Sequence, residues 1–150
     1  SILGGQWPER VAGMSAVSAP PDLQRVQLRA GALRVLVSDL LFTCPPEAVL
    51  GSLAGRQGRG IVLAPFAREE ADPAWDGSYE FLDPETGLPH DHRVEPALLR
   101  RYEAAYRRHF DLWKAAALRH HIALVRVSSD AEFLKALQTE GVPAGAVEMG

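Results

Sequence analysis

The chain has 150 residues, 47% of them apolar and 23% charged, and a formal charge of -3. That length and apolar content suit one globular domain with a real core and exclude disorder as a global description. Mixed signs on a mildly acidic chain give no electrostatic basis for a nucleic-acid or anionic-membrane surface.

Cys44 is the sole cysteine. It leaves no intramolecular disulfide and no Cys cluster for zinc or iron–sulfur, and it suits a reducing, cytoplasmic setting. No apolar run reaches the ~18 residues of a membrane span, and the first residues lack the basic and apolar regions of a signal peptide. A start at Ser1 rather than Met points to a processed chain or a piece of a longer one.

Residues 1–31 read as an irregular N-terminal arm, because Gly4-Gly5, Trp7-Pro8, Gly13 and Ser18-Ala19-Pro20-Pro21 interrupt any long helix or strand. Trp7 and Met14 offer the apolar area to anchor it. Residues 23–29, LQRVQLR, alternate like an edge strand. Residues 33–42, LRVLVSDLLF, are a run of Leu and Val broken at Ser38-Asp39, the pattern of a strand buried on both faces of a parallel sheet. In open α/β sheets the ligand site lies beyond the carboxyl ends of the strands, which is where Asp39 falls.

Thr43-Cys44-Pro45-Pro46-Glu47 is a helix start, with Pro in the first turn and an acid suited to the helix dipole. Val49, Leu50, Leu53 and Ala54 point that helix inward, and Gly58 and Gly60 end it. Residues 60–66, GIVLAPF, read as a second buried strand, parallel to the first in a βαβ unit. Residues 68–94 change character. Asp72-Pro73-Ala74-Trp75-Asp76-Gly77 is turn-rich, SYEFL (78–82) alternates, Asp83-Pro84-Glu85-Thr86-Gly87 is a tight turn, and a strand through His92-Arg93-Val94 completes a hairpin at the sheet edge.

Pro96 opens the longest helix, over 97–120. Leu99, Tyr102, Tyr106, Phe110, Trp113 and Ala117 draw one apolar stripe at spacings of three and four, with Arg100, Arg101, Arg107, Arg108 and Lys114 largely off it. Residues 122–127, IALVRV, follow as another buried strand. Ser129-Asp130-Ala131-Glu132 has the form of a capping box for a helix that buries Phe133, Leu134 and Leu137 and stops at Gly141. The expected class is α/β: a mainly parallel sheet with an edge hairpin and a long helix in the C-terminal half, in a single domain over 1–150.

The run RVLVSDLLF with its helix and strand, then DPAWDGSYEFLDPETG, then LLRRYEAAYRRHFDLWKAAALRHHIALVRVSSDAEFLKAL, resembles the C-terminal half of the domain-of-unknown-function family 58, over about 33–137. The resemblance implies a partial doubly wound fold of von Willebrand factor A-like, Rossmann-like type, with this chain its C-terminal portion. Where intact, its metal-ion-dependent adhesion site gathers a DxSxS loop, a Thr from a second loop and an Asp after the central strand. Asp39, with Ser38 before it, matches the third position, and no DxSxS occurs in the chain. The implied metal is Mg²⁺ in a longer parent, with little affinity here, because one carboxylate does not fill an octahedral shell. The implied role is a non-enzymatic protein-interaction module. Its partner would be a protein, in the family context a MoxR-type AAA+ ATPase, met by Asp39 and the acidic Glu69 and Glu70. A half sheet would also expose an edge suited to a homo-oligomer.

The residues themselves leave several readings open. Asp39 is either a metal ligand or a cap for the amides of the following loop, and Ser38 shares the ambiguity without a GxSxG elbow. His90 and His92 are either a two-ligand HxH on one strand face or a polar hairpin. His120-His121 read as a polar helix end. His109 lies beside the aromatic stripe, and most such histidines are structural. The arginines and Glu69, Glu70, Asp72 and Asp76 read as solvated faces or as partner contacts, and Glu103 is spaced to pair with Arg107. Cys44 is either a thiol activated near a helix N-terminus or a small packed residue. The alternative function is a small metal-assisted hydrolase using Asp39 with these histidines. No phosphate-binding glycine motif supports a nucleotide cofactor.

Overall fold

A computed structural model describes residues 22–55, 57–75, 77–82 and 89–146. The proposed anchors Trp7 and Met14, Asp76, the 83–87 turn and the tail from 147 lie outside the described residues.

The fold is α/β. Strands β1 (Leu33–Val37), β2 (Arg59–Phe66) and β5 (Ala123–Ser128) form a parallel sheet in the order β1-β2-β5, with Val35 opposite Ile61 and Leu63 opposite Val125. Helix α1 (Pro46–Ala54) links β1 to β2 as the predicted βαβ unit. A short helix α2 (Arg68–Ala71) and the long helix α3 (Pro96–Arg119) lie between β2 and β5. Helix α4 (Phe133–Ala136) widens into a π turn over Leu137–Gly141. The segment expected as an edge strand is a single 3-10 turn, Leu23–Arg25, with no strand over 26–29.

The core lies between the sheet and α1 with α3. Val62 and Ala64 of β2 meet Val49, Leu50 and Leu53 of α1 and Tyr106, Phe110, Trp113, Ala116 and Ala117 of α3. Trp113 is fully buried and takes the Phe42 ring edge-on at 5.7 Å. Of the stripe the sequence draws on α3, Tyr106, Phe110, Trp113 and Ala117 bury, while Leu99 is half-buried and Tyr102 is 37% exposed; the helix end is capped by an uncommon residue. His121 adopts φ +53, donates its N–H to the carbonyl of Leu118, and Ile122 donates to that of Ala117. This is a Schellman cap with histidine where glycine is usual, and burial of Ile122 supplies the hydrophobic contact that accompanies the motif.

Four expectations are corrected. The β3 (Gly77–Leu82) and β4 (Pro89–Val94) hairpin forms, but as its own two-stranded sheet rather than at the parallel edge; its strands pair only with each other among the described residues. β1 is not buried on both faces: Leu33, Val35 and Val37 are 59%, 54% and 65% exposed, while Arg34 on the opposite face is buried. The layer on that second face covers only the β5 side, where Val125 and Val127 pack against Ala136 and the partly buried Leu63, Ala144 and Ala146. Finally, α4 lacks the predicted capping box, since Glu132 is its N-cap without a side-chain bond, and Phe133 and Leu134 are exposed; Ala136 and Gly141 are the residues that bury.

Candidate functional site

The carboxyl end of β1 is built by three consecutive residues with different tasks. The Ser38 hydroxyl accepts the N–H of Leu40 at 3.1 Å, and Asp39 Oδ1 accepts the N–H of Leu41 at 3.1 Å. These are the local turns that Ser and Asp favour, and they end the strand by offering its amides a nearer acceptor. Leu40 then turns left-handed, φ +62, with its side chain fully buried. A left-handed non-glycine residue costs about 1–2 kcal/mol, and full burial of a leucine is worth about 1.5–3 kcal/mol, so burial holds the turn.

The Leu40 carbonyl points to α3, where His109 Nε2 lies 2.7 Å away. A carbonyl only accepts, so Nε2 carries the proton. Trp113 Nε1 also lies 3.1 Å from Nε2. Both contacts cannot be hydrogen bonds in one neutral tautomer, and the shorter one to the carbonyl decides the assignment. The half-buried His109 is therefore a fastener between the β1 turn and the long helix.

Asp39 itself is exposed. Because β1 and β2 are parallel, α2, which directly follows β2, stands at the same end of the sheet. It carries Glu69, exposed, and Glu70, whose Oε2 takes the N–H of Ala67 at 3.4 Å. Tyr102 of α3 donates its hydroxyl to the Glu70 carbonyl at 2.8 Å, and its phenol is pushed up chiefly by burial. Asp39, Glu69 and Glu70 thus share one end of the fold. Among the described residues no three His, Cys, Asp or Glu side chains converge as a metal-holding group. Ser38 and Asp39 each spend an oxygen on a backbone amide, so these residues do not by themselves fit Mg²⁺, which wants six oxygens.

The remaining candidates separate. The His90 and His92 side chains lie outside the described residues. His120 is the C-cap residue of α3. Glu103 pairs with Arg107 at 3.8 Å as spaced, while Arg100, Arg101 and Arg108 are exposed. Cys44 packs partly against the core and burial pushes its thiol up, opposite to activation. Glu47 is held low by its own backbone hydrogen bond first and by Arg119 second.

Two arginines within apolar strands are the features local reading misses. Arg34, 5% exposed, donates Nη1 to the carbonyls of Leu53 (2.6 Å), Gly55 and Ser52 (3.3 Å), and Nη2 to that of Arg29 (2.8 Å). A cation at the C-terminus of α1 answers both the orphan carbonyls and the helix dipole. Arg126 of β5 lies 4.0 Å from the Phe66 ring centre and 3.9 Å from that of Phe110, and donates Nη2 to the Tyr106 hydroxyl. Burial pushes the Tyr106 phenol up, against the opposing pull of Arg126. Arg126 also lines a cleft of about 780 Å³ with Lys114, Asp130, Glu132 and Lys135. Its guanidinium lies between aromatic rings, and its Nε–H is buried with no partner among the described residues. The visible signal for both was a lone Arg in an otherwise apolar strand.

Comparison with protein-family models, with curated proteins and with solved structures finds no match. No helix among the described residues is long and apolar enough to cross a membrane.

Proposed function

We propose that the chain is a non-enzymatic protein-interaction module whose contact face is the carboxyl end of β1 and β2, presenting Asp39, Glu69 and Glu70. The observation that carries this is the display of Asp39: an exposed carboxylate on a turn made rigid by two side-chain bonds, a buried Leu40 and the His109 fastener. A fixed acid that forms no ion pair with another described residue suits recognition of a basic partner surface. The resemblance to family 58 implies a von Willebrand A-like module working with a MoxR-type AAA+ ATPase. Mg²⁺ enters only with oxygen donors from outside the described residues. The single free cysteine suits a cytoplasmic place of action.

The test is binding of a purified MoxR-type ATPase by interferometry. The parent chain should bind, and Asp39→Lys or Glu69→Lys with Glu70→Lys should weaken binding by about tenfold or more, as like-charge juxtaposition does. Equal affinity in all forms would overturn the face assignment, and no binding would overturn the partner. Loss on adding EDTA would identify a bridging cation.

Self-association through the β1 edge is a second reading, favoured by the outward Leu33, Val35 and Val37. Light scattering should then show a dimer that Val35→Lys dissociates; a monomer at high concentration overturns it.

A further inference from the structure

Beside its buried stripe, α3 carries a second apolar line. Leu98, Tyr102, Ala105, His109, Leu112 and Ala116 recur at spacings of four, three, four, three and four. That alternation is a period of about 3.5 residues, the spacing of a coiled-coil seam; the line shares Tyr102 with the globular stripe and runs into the core at the fully buried Ala116. Leu98, Tyr102 and Leu112 are 45%, 37% and 56% exposed, Ala105 is exposed, and His109 is half-buried. From Leu98 to Leu112 the seam runs about 21 Å, at the helical rise per residue.

Its two flanks differ. One is Leu99, Tyr106 and Trp113, turned toward the chain's own interior, where Tyr106 and Trp113 are buried. The other is Arg101 and Arg108, seven residues apart and both exposed; neither forms an ion pair with another described residue, although Asp111 stands three residues after Arg108. In coiled coils these flanking positions choose the partner. A second copy laid antiparallel would set Arg101 and Arg108 against their own equivalents, so the charges oppose self-pairing. An anionic membrane is opposed by the net charge of -3 and by a seam too narrow to insert.

We propose that this seam docks an acidic amphipathic helix of another protein, with apolar residues at its a and d positions and Glu or Asp facing Arg101 and Arg108. The seam adjoins the strand-end face through Tyr102, bonded to the Glu70 carbonyl, and His109, bonded to that of Leu40, but the proposal does not need that face to bind anything.

The probe is a synthetic 21-residue peptide with Leu at a and d and Glu at e and g, beside a twin with Lys at e and g. Repulsion between its own glutamates suppresses self-pairing, so helicity gained on mixing reports docking. The acidic peptide should gain helicity and bind, more weakly as salt rises, and the Lys twin should not. Arg101→Glu with Arg108→Glu should weaken the acidic peptide by about tenfold or more and admit the Lys twin. Leu112→Asp, at an exposed position, should abolish binding of the acidic peptide while leaving native tryptophan fluorescence unchanged. Absent binding of the acidic peptide, affinity indifferent to the charge reversal, or binding to phosphatidylserine vesicles in place of the peptide would each overturn the proposal.

Discussion

Replacing Arg34 tests how the β1–α1 layer is held. The residue is 5% exposed and pairs with no carboxylate among the described residues; four backbone carbonyls of Arg29, Ser52, Leu53 and Gly55 take its protons, and Nε–H is buried with no partner among the described residues. Substituting Met keeps the stem and roughly the volume but strands the Leu53 carbonyl, at about 1–3 kcal/mol if water does not reach it, while the Gly55 carbonyl keeps the N–H of Gly58. The gain from no longer burying a charge offsets part of this. A net loss of about 1–2 kcal/mol follows, which lowers the urea midpoint by roughly 0.5–1 M at an ordinary slope for this size. Gly58 supplies the control. A Cβ there would lie 2.5 Å from Arg34 Cζ, 2.6 Å from Nη1 and 2.7 Å from Nε, and the guanidinium cannot step aside without dropping its carbonyls. Gly58→Ala should therefore destabilise the parent yet be nearly neutral on an Arg34→Ala background, with a coupling of about 1–3 kcal/mol. Additivity within ~0.5 kcal/mol, or Arg34→Met at parental stability, would refute the clamp.

His109 should show Nε2–H in a long-range ¹H–¹⁵N spectrum, because the Leu40 carbonyl fixes it; an Nδ1–H resonance contradicts the fastener. Iodoacetamide should alkylate Cys44 at pH 8 more slowly in the native chain than in urea, since burial raises its pKa and lowers the thiolate fraction; native rates equal to those of the unfolded chain would count against it. Tyr102 and Tyr106 have raised pKa values in the fold, so the native state keeps its protons longer than the unfolded one. Stability is then flat below pH ~10 and declines above it, which alkaline denaturation checks; a native absorbance titration with every tyrosine near pH 10 would contradict this.

The βαβ unit and the long helix were legible because each stands on an uninterrupted local pattern: GIVLAPF opening on a glycine, and six apolar residues at helical spacing on α3. The environment of β1 was not. Alternation says that Leu33, Val35 and Val37 share a face; whether that face is covered depends on α4, about a hundred residues on, and α4 reaches only the β5 side. Phe133 and Leu134 misled for a related reason. One helical turn that opens into a π turn places Ala136 and Gly141 inward, and no periodicity over so short a span predicts it. At the strand end, the residue types Ser38 and Asp39 announced amide-capping turns as one of two readings. The fastener from Leu40 to His109 joins positions 69 apart and has no local trace.

Leu40 is where local preference and tertiary packing conflict most directly, and the conflict can be measured. Glycine in a strand end normally destabilises by roughly 0.5–1 kcal/mol relative to alanine, because it frees the unfolded chain. At φ +62 the order should invert. Both substitutions forfeit the burial of a fully enclosed leucine, a loss of about 2–5 kcal/mol for alanine. Alanine keeps the left-handed cost of about 1–2 kcal/mol and glycine does not. Leu40→Gly should then be at least as stable as Leu40→Ala in urea unfolding, and both should retain Nε2–H on His109 if the turn persists. A glycine variant clearly weaker than alanine would mean that the turn relaxes once its side chain is gone. The rigidity of Asp39's display would then come from the Leu40 side chain alone and not from the backbone bonds of Ser38 and Asp39.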